Sequence, residues 1–310
     1  MDAIFPEFTE YISPDGITFH FEGNDRFLIS EEGLGMPPIS YITRKGPFQH
    51  GESLIDFRLG TRIVQLILQQ DSENRYKYWE RRAELMNMLR PNRQFSGYMN
   101  PGILQRRLPN GSIRSINVVI EQGPIFAARS TSMWTEASYT ETLRFIAHDP
   151  VFFDPIQKGV LWDTLADPLG AVDLVFPMEF PFELGGSAFG QIRTCTYPGT
   201  WLSYPYITLT GPINGFTITN AETGEIIDFS YSIAVGEIVY IDLAWGHKSV
   251  ENNLGVNLIG SVTTSSDLAT FHIAPDPEAV GGINTFTITG SSVDANSRVL
   301  LEYYERYIGI

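Results

Sequence analysis

Cysteine is almost missing from this chain: there is one, Cys195, among 310 residues. One thiol can neither close an intrachain disulfide nor supply the several thiolates of a cysteine zinc site, so Cys195 reads as a small buried hydrophobe. Long apolar runs are missing too. None approaches the roughly 18 residues of a membrane-spanning helix, so no membrane insertion is expected. The opening Met1-Asp2-Ala3-Ile4-Phe5-Pro6 lacks the basic stretch and apolar run of a secretory leader, which implies synthesis in a cytoplasm. No lysine follows a glycine, so a phosphate-cradling Gly-Lys-Ser/Thr loop is absent, and no dinucleotide fingerprint opens a helix.

Histidine is sparse and scattered. The five residues form no spaced helical pair of the kind a zinc peptidase needs. His20-Phe21-Glu22 matches half of a deaminase metal motif, but the pair of cysteines that completes it is missing. His50 sits in a Gly-Pro turn and His148 precedes Asp149-Pro150, both structural positions, while His247 and His272 have Asp242 and Asp276 nearby without ligand spacing. No catalytic residue, metal or cofactor is expected.

Positive charge is scarce in one half only. Residues 1–150 carry 16 Lys+Arg against 18 Asp+Glu, a net of −2, whereas residues 151–310 carry 5 against 18, a net of −13. An acidic second half excludes a phosphate-binding module there. The cationic concentration, from Arg75 through Arg114, is interleaved with acids, which favours pairing or an oligomeric interface over nucleic-acid binding.

The sequence does contain many short alternating segments. From Arg62 one parity holds Val64, Leu66 and Leu68, so this stretch reads as a half-buried strand. Asp71-Ser72 offers an N-cap, and Tyr76, Trp79, Ala83 and Met86 then recur at helical spacing, which predicts a helix ending near Arg90 with that stripe packed on a sheet. Pro91 stops it. Pro109-Asn110-Gly111-Ser112 is a hairpin turn leading to a strand with Ile116, Val118 and Ile120, and another strand runs from Tyr139 to Ala147. Seven further β-rich runs, at 206–210, 216–220, 226–229, 238–243, 268–273, 283–289 and 299–307, suggest a sandwich or jelly roll.

At this length the chain accommodates two domains and buries roughly three quarters of its unfolded surface. Dense Pro and Gly after Asp149-Pro150 mark a connector, with the boundary between 1–155 and 156–310.

Taken in order, several segments resemble the siphophage distal tail protein family. They are Met36-Pro37-Pro38, the Gly46-Pro47-Phe48-Gln49-His50-Gly51-Glu52 turn, the strand containing Arg62, the helix ending at Leu89-Arg90-Pro91, the Leu108–Ser112 hairpin and Phe145–Pro150. In the second half the resemblance continues through Phe180-Pro181-Phe182-Glu183, Pro198–Pro205, Ile207–Gly211 and Ile218–Gly224. It implies a mainly β protein: an N-terminal sandwich or barrel-like ring domain with one α-helix, then a C-terminal galectin-like β-sandwich. It also implies a structural, non-enzymatic virion component, assembled in the host cytoplasm. That component is a homo-hexamer joining tail tube protein to tail-tip hub and receptor-binding proteins, through which DNA passes without being held.

Two other functions compete. Trp201, Tyr204 and Trp245 offer flat faces to a host glycan, although core packing also accounts for them. A tail-associated glycoside hydrolase would need two carboxylates across a cleft, which spacing in a β domain does not reveal.

Overall fold

The computed structural model describes residues 6–23, 26–90, 95–96, 98–124, 138–163, 165 and 189–310. Pro91, Arg93, Asp167-Pro168, Phe176-Pro177, Phe180–Glu183 and Gly185–Ser187 lie outside these residues, and with them part of the resemblance. The chain divides into two compact units: 1–155 together with Tyr307–Ile310, and Ile156–Arg306.

The first unit contains β1 (Phe8–Ile12), β2 (Thr18–His20), β3 (Arg26–Glu32), β4 (Ile39–Arg44), β5 (Ser53–Leu59), β6 (Arg62–Asp71), α1 (Arg75–Leu89), β7 (Phe95–Ser96), β8 (Tyr98–Met99), β9 (Gly102–Arg107), β10 (Ile113–Gln122), β11 (Ser138–Ala147) and β12 (Phe152–Phe153). Its main sheet runs in the order β2-β1-β9-β10-β11-β6-β3. The period-two reading of β6 holds, with Val64, Leu66 and Leu68 fully buried. Tyr11, Phe21, Leu104, Ile116, Leu143 and Phe145 join them in one core. The β9–β10 hairpin turns at Gly111, whose φ of 85° suits glycine, while the Asn110 side chain accepts from the Ser112 backbone N–H at 3.0 Å.

The helix departs from expectation twice. β6 keeps pairing with β11 as far as Asp71 opposite Ser138, so the chain cannot turn helical at Asp71-Ser72. The cap is Asn74 instead, its side-chain oxygen accepting the Lys77 N–H at 3.0 Å. The buried stripe is also different. Leu85, Met88 and Leu89 enter the core, and Tyr76, Trp79, Ala83 and Met86 face solvent, with Trp79 51% exposed. Both stripes have helical spacing, and the sequence alone favoured the one with the larger aromatics.

The second unit contains β13 (Lys158–Trp162), β14 (Phe189–Thr196), β15 (Tyr206–Thr210), β16 (Ile213–Asn220), β17 (Ile226–Ile233), β18 (Ile238–Asp242), β19 (Ser249–Asn252), β20 (Ile283–Ser291) and β21 (Arg298–Tyr303), and β22 (Arg306–Tyr307) follows. Two antiparallel sheets, β13-β21-β15-β18-β19 and β14-β20-β16-β17, share one core, which makes this unit a β-sandwich. Inward residues alternate along each strand, as in Ile207 and Leu209 of β15 or Phe216, Ile218 and Asn220 of β16. β13 and β14 lie in the stretch read as a connector.

The run at 268–273 is not a strand. Its carbonyls are taken by a side chain, since Lys248 Nζ donates to the carbonyls of Leu268 at 2.8 Å and Ala269 at 2.6 Å. Phe271 and Ile273 still plug the core from this loop. Asn284 holds the following loop, accepting from the Ala274 N–H at 2.9 Å and donating to the Ala274 carbonyl at 2.9 Å. Cys195 packs against the core, and burial pushes its thiol pKa up, so it stays protonated.

The outer edge of β17 is covered. Residues 263–267 lie along it, with Thr263 N–H donating to the Asp228 carbonyl at 2.9 Å and Asp267 N–H to the Ile226 carbonyl at 2.7 Å. An edge closed this way cannot recruit another strand.

Candidate functional site

In the first unit β4 and β5 form a two-stranded sheet of their own. Register places Ile39 opposite Leu59, Tyr41 opposite Phe57 and Thr43 opposite Leu54, so these residues share one face. Ser40, Arg58 and Asp56 share the other with Ile42. The hairpin is therefore amphipathic, yet Tyr41, Leu54 and Phe57 are exposed. Among the described residues no strand covers either outer edge. A lone hairpin of this kind is marginal in water, and natural folds normally cover such edges. β3, the terminal strand of the main sheet, exposes Phe27 and Ile29 beside a bulge.

α1 contributes a second exposed apolar stripe. Trp79 meets Tyr78 edge-on at 5.6 Å and carries the Arg82 guanidinium over its ring at 4.9 Å. Arg26 ties β3 to the helix through Glu84 at 2.5 Å.

Of the arginines read as paired, Arg106 and Arg114 meet carboxylates. Arg106 bonds Glu7 at 2.6 Å and also contacts Glu31, while Arg114 lies 3.6 Å from Asp154 and stacks over Tyr307 at 3.6 Å. Sequence reasoning missed Glu141, which occupies an inward position of β11 and is buried. Burial raises its pKa to about 7, against the opposing pull of Arg26 and Arg82. Only the alternation of β11, which aligns Glu141 with Leu143 and Phe145, could have flagged it.

In the second unit Trp245 is 71% exposed and donates its Nε1–H to the Tyr204 hydroxyl at 2.5 Å. The two rings meet edge to face at 6.2 Å, and Lys248 Nζ lies 5.1 Å from the Tyr204 centroid. Burial lowers the Lys248 pKa. Trp201 is half-buried and bridges to Arg306 through its backbone, with its carbonyl accepting from the Tyr197 hydroxyl at 2.5 Å. Tyr204 and Trp245 thus form one corner, and Trp201 is anchored separately.

His50, His148 and His247 are exposed. His20 contacts Glu10 at 3.0 Å. His272 meets Glu225 at 3.0 Å and Glu278 at 3.2 Å, not Asp276, whose carboxylate accepts from the Gly281 N–H. Among the described residues no group of three or more His, Cys, Asp or Glu is placed to hold a metal, and no helix is long and apolar enough to cross a membrane.

Residues 198–307 match the family model described as the siphovirus-type tail component, C-terminal domain. The crystal structure of the SPP1 Dit (gp 19.1) protein, a hub of the adsorption apparatus in phages infecting Gram-positive bacteria, superposes with a TM-score of 0.61. Identity is 11%, and the match covers 97% of this chain and 99% of that one. The phage p2 baseplate in its activated conformation, with Sr or with Ca, matches at a TM-score of 0.47 and 6% identity, over 96% of this chain and 98% of that one. No curated protein matches by sequence. Over residues 198–307 the chain is thus similar to the siphovirus-type tail components, and as a whole it shares the fold of the SPP1 Dit protein.

Proposed function

We propose that this protein is a hexameric ring of the tail hub, joining tail tube to tip proteins and letting DNA through without binding it. The observation that carries this reading is the β4–β5 hairpin, whose apolar face and outer edges need other copies to cover them. Residues 1–155 form the ring, and residues 156–310 form a galectin-like sandwich presented to receptor-binding parts. The role is non-enzymatic. Native mass spectrometry of the purified chain and imaging of assembled tails test it. A six-fold ring is expected, and a strictly monomeric species at every concentration with no ring in tails overturns the reading.

A second reading coexists with the first. The corner of exposed Trp245 and half-buried Tyr204, with Trp201 in the same unit, supports binding of a host glycan. On a glycan array the full chain should then retain a saccharide that Trp245→Ala releases. Equal retention by both proteins removes the corner from consideration.

A further inference from the structure

Two of the apolar faces that the first unit exposes among its described residues, one on the β4–β5 hairpin and one on α1, are similar in size. On the hairpin these are Tyr41, Leu54 and Phe57, and on the helix Tyr76, Trp79 and Met86; all six are between 46% and 76% exposed. Each side chain still exposes about half or more of what burial of a large apolar group removes from water, so each face offers on the order of 300–400 Å². Together they supply the apolar area of one standard interface at the lower end of its range, about 1,200 Å² in total with somewhat over half of it apolar. Either face meeting polar surface would fall short of that.

We infer that the two faces meet each other between copies: the apolar face of β4–β5 in one copy packs on the exposed stripe of α1 in the next. The inference rests on the ring reading, because a closed ring of more than two copies requires two different patches per copy, one donated and one accepted. Hairpin packed on hairpin would be a two-fold contact, which stops at a dimer and leaves the helix stripe in water. The residue types also suit a contact centre, where Trp and Tyr are enriched.

The test is disulfide trapping in a Cys195→Ser background, which removes the one native thiol. Tyr41→Cys and Trp79→Cys are made singly and together. An equimolar mixture of the two single variants should cross-link into dimers on oxidation, each single variant alone should not, and the double variant should give a ladder up to the ring. Trp79→Asp, at an exposed position that leaves folding intact by circular dichroism, should raise the concentration for half-assembly at least tenfold. Wild-type protein that never assembles removes the ring reading and this inference with it. A wild-type ring that survives Trp79→Asp, with no cross-link in the mixture, overturns the inference alone. Tyr41→Cys cross-linking to itself as readily as to Trp79→Cys also overturns it.

Discussion

The guanidinium of Arg62 donates to the carbonyl of Ile308 at 2.6 Å, across 246 residues of chain. The same group donates to Pro150 at 2.7 Å and Gly33 at 2.6 Å, and to Gly35, while stacking over Phe152 at 4.7 Å. Among the described residues no carboxylate contributes. Burial lowers the pKa of Arg62 to about 10, so it keeps its charge at neutral pH and spreads it over four carbonyl dipoles. Residues 307–310 are thereby fastened into the first unit, where the Ile310 N–H also donates to Leu34 at 3.0 Å.

Arg62→Ala should therefore destabilise the protein by on the order of 3–5 kcal/mol, since each buried acceptor left unpaired costs about 1–3 kcal/mol with partial relief from water. Arg62→Lys should recover only part of this, because an ammonium lacks the planar fork. Urea denaturation measures both. Hydrogen exchange at 307–310 should rise in each variant, and unchanged protection there would count against the clasp.

The two faces of α1 predict opposite responses. Leu85→Ala empties a fully buried site and should cost about 2–5 kcal/mol, whereas Trp79→Ala on the solvent side should cost under about 1 kcal/mol in the dissociated chain. Thermal melts at low concentration distinguish them. A larger loss from Trp79→Ala would return the buried stripe to the aromatic side.

Glu141 predicts a pH dependence. Its folded pKa, about 7, lies above its ordinary value of 4.5, so the folded state holds the proton more tightly than the unfolded state between these values. Stability should be highest below pH 4.5 as far as this group is concerned, and it should fall as pH rises to about 7 by on the order of 3 kcal/mol. Glu141→Gln should flatten that slope. Parallel slopes for the two proteins between pH 5 and 7.5 would assign the effect elsewhere.

Arg106 and Arg114 are held by carboxylates and so are not free to engage phosphates. Duplex DNA should bind no more tightly than roughly 10⁻⁴ to 10⁻⁶ M at physiological salt, as fluorescence anisotropy would measure. Nanomolar binding weakened by Arg106→Ala would refute a passive conduit.

Local pattern alone determined much of this protein. The alternation in β6, the Asn110-Gly111 turn and most strands of the sandwich follow from side-chain period and turn chemistry, which act within a few residues. The helix itself was equally legible, although its start was not, because β6 pairs through Asp71 and that pairing is a long-range contact. Which helical stripe is buried depended on what lies beneath it. Leu85, Met88 and Leu89 join Leu66 and Leu68 in one buried core, and no periodicity distinguishes that stripe from Tyr76, Trp79 and Met86. The sandwich gave a similar lesson at 268–273, where apolar residues plug a core from a loop whose carbonyls Lys248 occupies. Of the candidate residues, the pairing of Tyr204 with Trp245 and the separate anchoring of Trp201 are tertiary facts. So are the burial of Glu141 and the four carbonyls gathered by Arg62. Each depends on residues brought together from distant parts of the chain, and a sequence pattern specifies the face a side chain occupies without specifying what that face will meet.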